Sequence, residues 1–138
     1  SSAASDVYKR QTQFSDLSAL SRLEKVQNDM QALGVVPADN VPLVPDYSDD
    51  EAIGWLYCVE GSNIGAAILY KEAGKIELND NHGAAHLAAH PDGRKAHWND
   101  VKAKIDALPL DDTAKNAAKK GADDAFAYYK KLITAVYA

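Results

Sequence analysis

Gly54-Trp55-Leu56-Tyr57-Cys58-Val59-Glu60-Gly61-Ser62-Asn63-Ile64-Gly65-Ala66-Ala67 is a mostly apolar run whose reading decides the fold. Just upstream, Ser48-Asp49-Asp50-Glu51 matches a capping box, in which a Ser side chain and a Glu three residues later satisfy each other's amides at a helix start. A helix is therefore expected from this box to about Gly74. Inside it Gly61 and Gly65 each cost about 1 kcal/mol relative to Ala, which a helix accepts where something must come close to its backbone. At about 100° per residue, Tyr57, Gly61, Gly65 and Ile68 share one stripe, leaving the backbone bare between a phenol and an aliphatic side chain. Two occupants suit such a stripe: another helix crossing at small residues, or a planar ligand lying on the backbone. In the second case Lys71, farther along, could reach anionic groups at the ligand edge, although a solvated lysine is the default for such a position.

On the N-terminal side, Leu17, Leu20, Leu23, Val26, Met30 and Leu33 recur at three- and four-residue steps, with Ser15 or Asp16 as cap and Gly34 as stop, and predict an amphipathic helix. Residues 35–47 hold Pro37, Pro42 and Pro45, each lacking an amide donor, so this is a surface connection rather than a strand. On the C-terminal side, His82, His86 and His90 are spaced like ligands on one helix face. The turn sequences Asn79-Asp80-Asn81-His82-Gly83 and His90-Pro91-Asp92-Gly93 interrupt any such helix. No metal is expected there; His86 is expected in a hydrogen-bond network. Pro91 suits the first turn of a helix carrying Trp98, Val101, Ile105 and Leu108 and ended by Pro109. A last helix is expected from about Asp112 to Tyr137. No strand pair is legible, and the class is all-α.

The 138 residues suit one domain. Fifteen basic against 20 acidic residues, net charge −5 with no basic block, disfavour a nucleic-acid partner. No segment reads as a membrane span or a signal peptide, so a cytoplasmic location is expected. The single cysteine, Cys58, excludes an internal disulfide and reads as a packed, reduced thiol. Residues 1–11 show no sustained period and read as a non-native leader, resembling the translated adapter remnants that head some open reading frames. The domain then occupies residues 12–138, with part of it expected upstream.

The run Leu56 to Ala67, then Lys71, then His82-Gly83-Ala84-Ala85-His86-Leu87 and Pro91-Asp92-Gly93-Arg94 resembles bacterial heme oxygenases. The resemblance extends over roughly Ser21 to Tyr137, including the His97-Trp98 pair. It implies an all-α fold holding heme between a proximal helix with an axial His and a kinked, Gly-rich distal helix. Gly61 and Gly65 would let the backbone approach the macrocycle and leave room for dioxygen. Ser62 and Asn63 would border the distal pocket, Asn63 only if the helix kinks. Tyr57 and Lys71 match positions that meet heme propionates, Ile68 continues the cofactor stripe, and Phe126 and Tyr129 could close the pocket wall.

The resemblance further implies cleavage of heme, at once substrate and cofactor, to biliverdin, iron and carbon monoxide. Dioxygen is consumed, with electrons from a reductase or ferredoxin; iron acquisition and pigment supply are the two physiological outlets. Two departures stand out. All four histidines lie at position 82 or beyond, whereas the family's axial His lies on its N-terminal helix. A fragment that is inactive or only weakly heme-binding is therefore expected, with the missing helix upstream. Ala85 stands where many similar sequences carry Arg, and His82 where an aromatic is usual. A non-enzymatic tetrapyrrole-binding relative, or an interaction module docking a helix on Gly61 and Gly65, are the alternatives.

Overall fold

The computed structural model describes residues 22–137, which form four α-helices and one short 3₁₀ turn. They are α1 (Leu23–Leu33), α2 (Asp49–Gly74), the 3₁₀ turn Ala85–Leu87, α3 (Arg94–Asp106) and α4 (Asp112–Tyr137). No strand occurs among the described residues; two isolated bridges tie Asn79 to His82 and Gly83. The all-α class expected from the sequence is the class observed. The leader at residues 1–11 and the predicted cap at Ser15 or Asp16, with Leu17 and Leu20, lie outside the described residues.

Local chemistry accounts for most boundaries. Gly34 ends α1 in the left-handed region at φ 67°, where a side chain would be strained. Its N–H donates to the Gln31 carbonyl and that of Val35 to the Met30 carbonyl. At the start of α2 the Ser48 hydroxyl accepts from the Glu51 N–H at 3.2 Å, and the Glu51 carboxylate accepts from the Ser48 N–H at 3.3 Å. The expected capping box is present. Three acidic residues in the first turn also suit the positive end of the helix dipole. For α3 the expectation fails by one turn. Pro91 lies ahead of the helix, which begins after Gly93 at φ 92°, because the intervening residues close a turn through the Gly93 N–H on the His90 carbonyl.

α2 is the central element, packed by α4 along one side and by α3 and the 3₁₀ turn along another. Trp55, Leu56 and Ala125 form the buried centre, and Val44, Tyr47, Cys58, Val59, Ile105, Leu108 and Tyr128 close around it. The connection before α2 is drawn into this core: the Tyr128 hydroxyl donates to the Pro42 carbonyl at 2.8 Å, and Tyr47 and Tyr128 flank the Trp55 ring. One expectation needs correcting. By length and composition α2 is long and apolar enough to cross a bilayer, where the sequence reading found no such segment. Its apolarity also matches its place between two other helices.

α2 and α4 meet backbone to backbone at Gly54 and Gly121. A Cβ on Gly54 would overlap the Ala118 carbonyl and Ala122 nitrogen of α4, and one on Gly121 would overlap the Glu51 carbonyl of α2. Neither glycine belonged to the predicted stripe. The signal was nonetheless present, since Gly121 stands among Ala114, Ala117, Ala118, Ala122 and Ala125 at helical spacing.

Candidate functional site

Three faces of α2 do different work. Ala52, Ile53, Leu56, Glu60, Asn63 and Ala66 are buried. Gly54 and Cys58 meet α4, where the Cys58 thiol donates to the Ala122 carbonyl at 3.6 Å. Burial, reinforced by the negative charge of Asp123, pushes the Cys58 thiol up from its ordinary value, in keeping with an inert, packed group. The outer face carries Tyr57, Ser62, Ile64, Gly65, Ile68, Leu69 and Lys71, all exposed.

Along that outer face the two predicted glycines differ. A Cβ on Gly61 would stand 3.1 Å from Cη2 of Trp98, and the Tyr57 ring lies 5.0 Å from the Trp98 ring between centroids. Gly61 is thus covered by an indole from α3, while a Cβ on Gly65 would meet nothing within 4 Å. Gly61 stays partly exposed beside the indole, and the fully open backbone is at Gly65. It is bordered by Ile64 and Ile68, the latter 70% exposed. Exposed aliphatic groups flanking bare backbone provide a flat apolar surface suited to a planar hydrophobic ligand. Lys71 stands in the last turn of α2, exposed and one turn beyond Ile68. Phe126 and Tyr129 project from α4 at 61% and 62% exposure, five and eight residues past the Gly121 crossing.

Two predicted residues are engaged elsewhere. Asn63 is turned inward: its amide donates to the Glu60 carboxylate at 3.2 Å and its carbonyl accepts from Arg94 at 2.9 Å. α2 runs through this point as one continuous helix with Asn63 buried, so Asn63 does not reach the outer face. The Ser62 hydroxyl stays on the outer side but donates to the Val59 carbonyl at 2.6 Å, one turn back.

The histidines divide among separate tasks. His86 Nδ1 donates to Asp29 at 2.6 Å, and the Ala85 and His86 amides donate to the same carboxylate at 2.9 and 2.8 Å. Burial raises the Asp29 carboxyl, but the His86 and Ala85 hydrogen bonds outweigh it and hold the group below its ordinary value. Arg22 secures the same turn by donating to the His86 and Ala88 carbonyls at 2.6 and 3.0 Å. His90 stacks on His97, with ring centroids 4.2 Å apart and planes inclined by 11°. His97 Nε2 donates to Glu60 at 2.7 Å, both groups being buried. His82, His86 and His90 therefore do not share a helix face. Among the described residues no group of three His, Cys, Asp or Glu could hold a metal ion. Sequence reasoning found the His86 network but passed over Glu60 with His97 and Asp29 with His86, whose partners are 37 and 57 residues apart.

Comparison with known proteins agrees with this architecture. The heme oxygenase family matches residues 4–135. Heme oxygenase PigA of Pseudomonas aeruginosa is 37% identical over 127 residues, covering 91% of this chain and 64% of its own. The chain thus spans somewhat less than two thirds of that relative's length. A solved structure of the NO- and CO-bound heme oxygenase from Neisseria meningitidis superposes with a TM-score of 0.87 at 40% identity, over 97% of this chain and 69% of that one. With the helical architecture, the glycine-bearing central helix and nearly the whole sequence in register, the chain belongs to the heme oxygenase family.

Proposed function

We propose that this chain forms the distal wall of a heme-degrading oxidoreductase, with the outer face of α2 lying against the macrocycle. The observation that carries the reading is Gly65: open backbone in mid-helix, with exposed Ile64 and Ile68 beside it. Gly65 admits the ring plane; Ile64 and Ile68 exclude water from it. Tyr57 and Lys71 are the proposed propionate contacts, as hydrogen-bond donor and cation. Phe126 and Tyr129 supply apolar surface from α4. When bound, heme supplies both the redox iron and the ring that dioxygen and externally donated electrons convert to biliverdin, iron and carbon monoxide.

Binding, rather than turnover, is the expected property of these 138 residues. The His86 ring is committed to Asp29 and the His97 ring to Glu60, and the His90 ring stacks on His97. The proposal includes a cytoplasmic setting and a reductase or ferredoxin as donor. Its test is a hemin titration of the chain and of Gly65→Leu, followed by absorbance and far-UV circular dichroism. A Soret band in the parent that is lost in Gly65→Leu, with helicity unchanged, is the expected result. No band in the parent refutes the heme reading and favours a helix-docking surface.

A further inference from the structure

Glu60 and His97 form the most deeply buried of the three carboxylate–imidazole pairs among the described residues, at 1% and 9% exposure. Their sequence neighbours make the contact that divides the outer face: Glu60 precedes Gly61, His97 precedes Trp98, and the Trp98 indole covers Gly61. Successive residues on a helix are related by a fixed rotation and rise. A bond between residues 60 and 97 therefore sets the register in which 61 and 98 meet.

The pair is itself held from several directions. Asn63, one turn along α2, donates to the Glu60 carboxylate, and Arg94, one turn back along α3, donates to the Asn63 carbonyl. The His90 ring fixes the plane of His97 by stacking, and its Nδ1 accepts from the Asp92 N–H at 3.1 Å in the turn that leads into α3. Apolar groups of the same volume would fill this space, but they would lack the directionality of a 2.7 Å hydrogen bond.

We propose that Glu60 and His97 are a positioning pair that holds the Trp98 indole against Gly61, at the edge of the ligand face on α2. The inference rests on the heme reading above, and it makes the edge of that face a property of the interface between α2 and α3. It also gives Trp98 a double role, as the cover of Gly61 and as the edge of the ligand face beside Tyr57.

The test uses the full 138-residue chain. In the ligand-free protein, the Gly61 Hα that stands where a Cβ would be lies against the indole, so its NMR resonance is displaced upfield by the ring current; Trp98→Leu supplies the undisplaced reference. His97→Leu should lose that displacement, and His97→Gln, whose amide can still donate to Glu60, should retain it. Should His97→Leu fail to fold, the double variant Glu60→Leu/His97→Leu removes both polar groups, and such replacement of a buried pair is often tolerated. It should keep its far-UV dichroism, lose the Gly61 displacement and bind hemin with a shifted Soret maximum. If the parent binds hemin and the double variant keeps both the displacement and the Soret maximum, the positioning role is overturned while the heme reading stands. If the parent binds no hemin, the heme reading fails and takes this proposal with it.

Discussion

Replacing Gly54 by Ala tests the account of the α2/α4 crossing most severely, because helix propensity and packing predict opposite signs. On propensity alone the change stabilises by about 1 kcal/mol. In the structure, however, the new methyl overlaps the Ala118 carbonyl and Ala122 nitrogen, both main-chain atoms of a helix that cannot swing aside as a side chain can. Restoring ordinary contact needs the helices to part by roughly 1–1.5 Å, and a gap of that order forfeits about a quarter to a half or more of the dispersion energy along the seam. Overpacking of this kind costs typically about 1–3 kcal/mol, and sometimes more. With rigid backbone as the obstacle, the upper end applies, and a net loss of about 2 kcal/mol remains after the propensity gain. Urea unfolding followed by circular dichroism would show it as a midpoint lowered by about 1 M for a slope near 2 kcal/mol/M. Gly65→Ala is the control. Nothing lies within 4 Å of its Cβ, so only the propensity gain of up to about 1 kcal/mol applies. Gly121→Ala meets the Glu51 carbonyl at the same crossing, and combining it with Gly54→Ala should cost less than the sum, since parting the helices once relieves both overlaps. A Gly54→Ala protein at least as stable as the parent would refute the packing argument.

Two further outcomes follow from the buried polar groups. Asp29→Asn removes the charge that accepts from His86 and Ala85 and should lower stability at pH 7 by about 1.5–3 kcal/mol. Because the folded Asp29 carboxyl lies below its ordinary value of 3.8, its contribution is complete above that pH and fades as pH falls through the folded value. The Asn variant should show a shallower loss of stability below about pH 4, and identical acid limbs in the two proteins would contradict this. For Cys58, burial next to the Asp123 charge keeps the thiolate scarce. Alkylation at pH 8 should be much slower in the folded protein than in urea; equal rates would mean the thiol is exposed.

The sequence by itself determined the helices and most of their ends, because those features depend on neighbours along the chain. The Ser48/Glu51 box, the left-handed Gly34 and the apolar periodicity of the segment ending at Tyr137 act within one or two turns. The same locality allowed the Tyr57, Gly61, Gly65 and Ile68 stripe to be read, since helical geometry places those residues together whatever surrounds them. Tertiary structure alone decided what covers each part of it. Which side of α2 receives α3 and which receives α4 is settled by burial summed over all the helices, so no local rule distinguishes Gly61 under the Trp98 indole from Gly65 in the open. For the same reason the tight α2/α4 crossing fell at Gly54 and Gly121, and Asn63 turned inward to Glu60. The two long-range carboxylate–imidazole pairs join residues 37 and 57 positions apart; each is a consequence of which elements meet, and only the folded chain brings its two halves together.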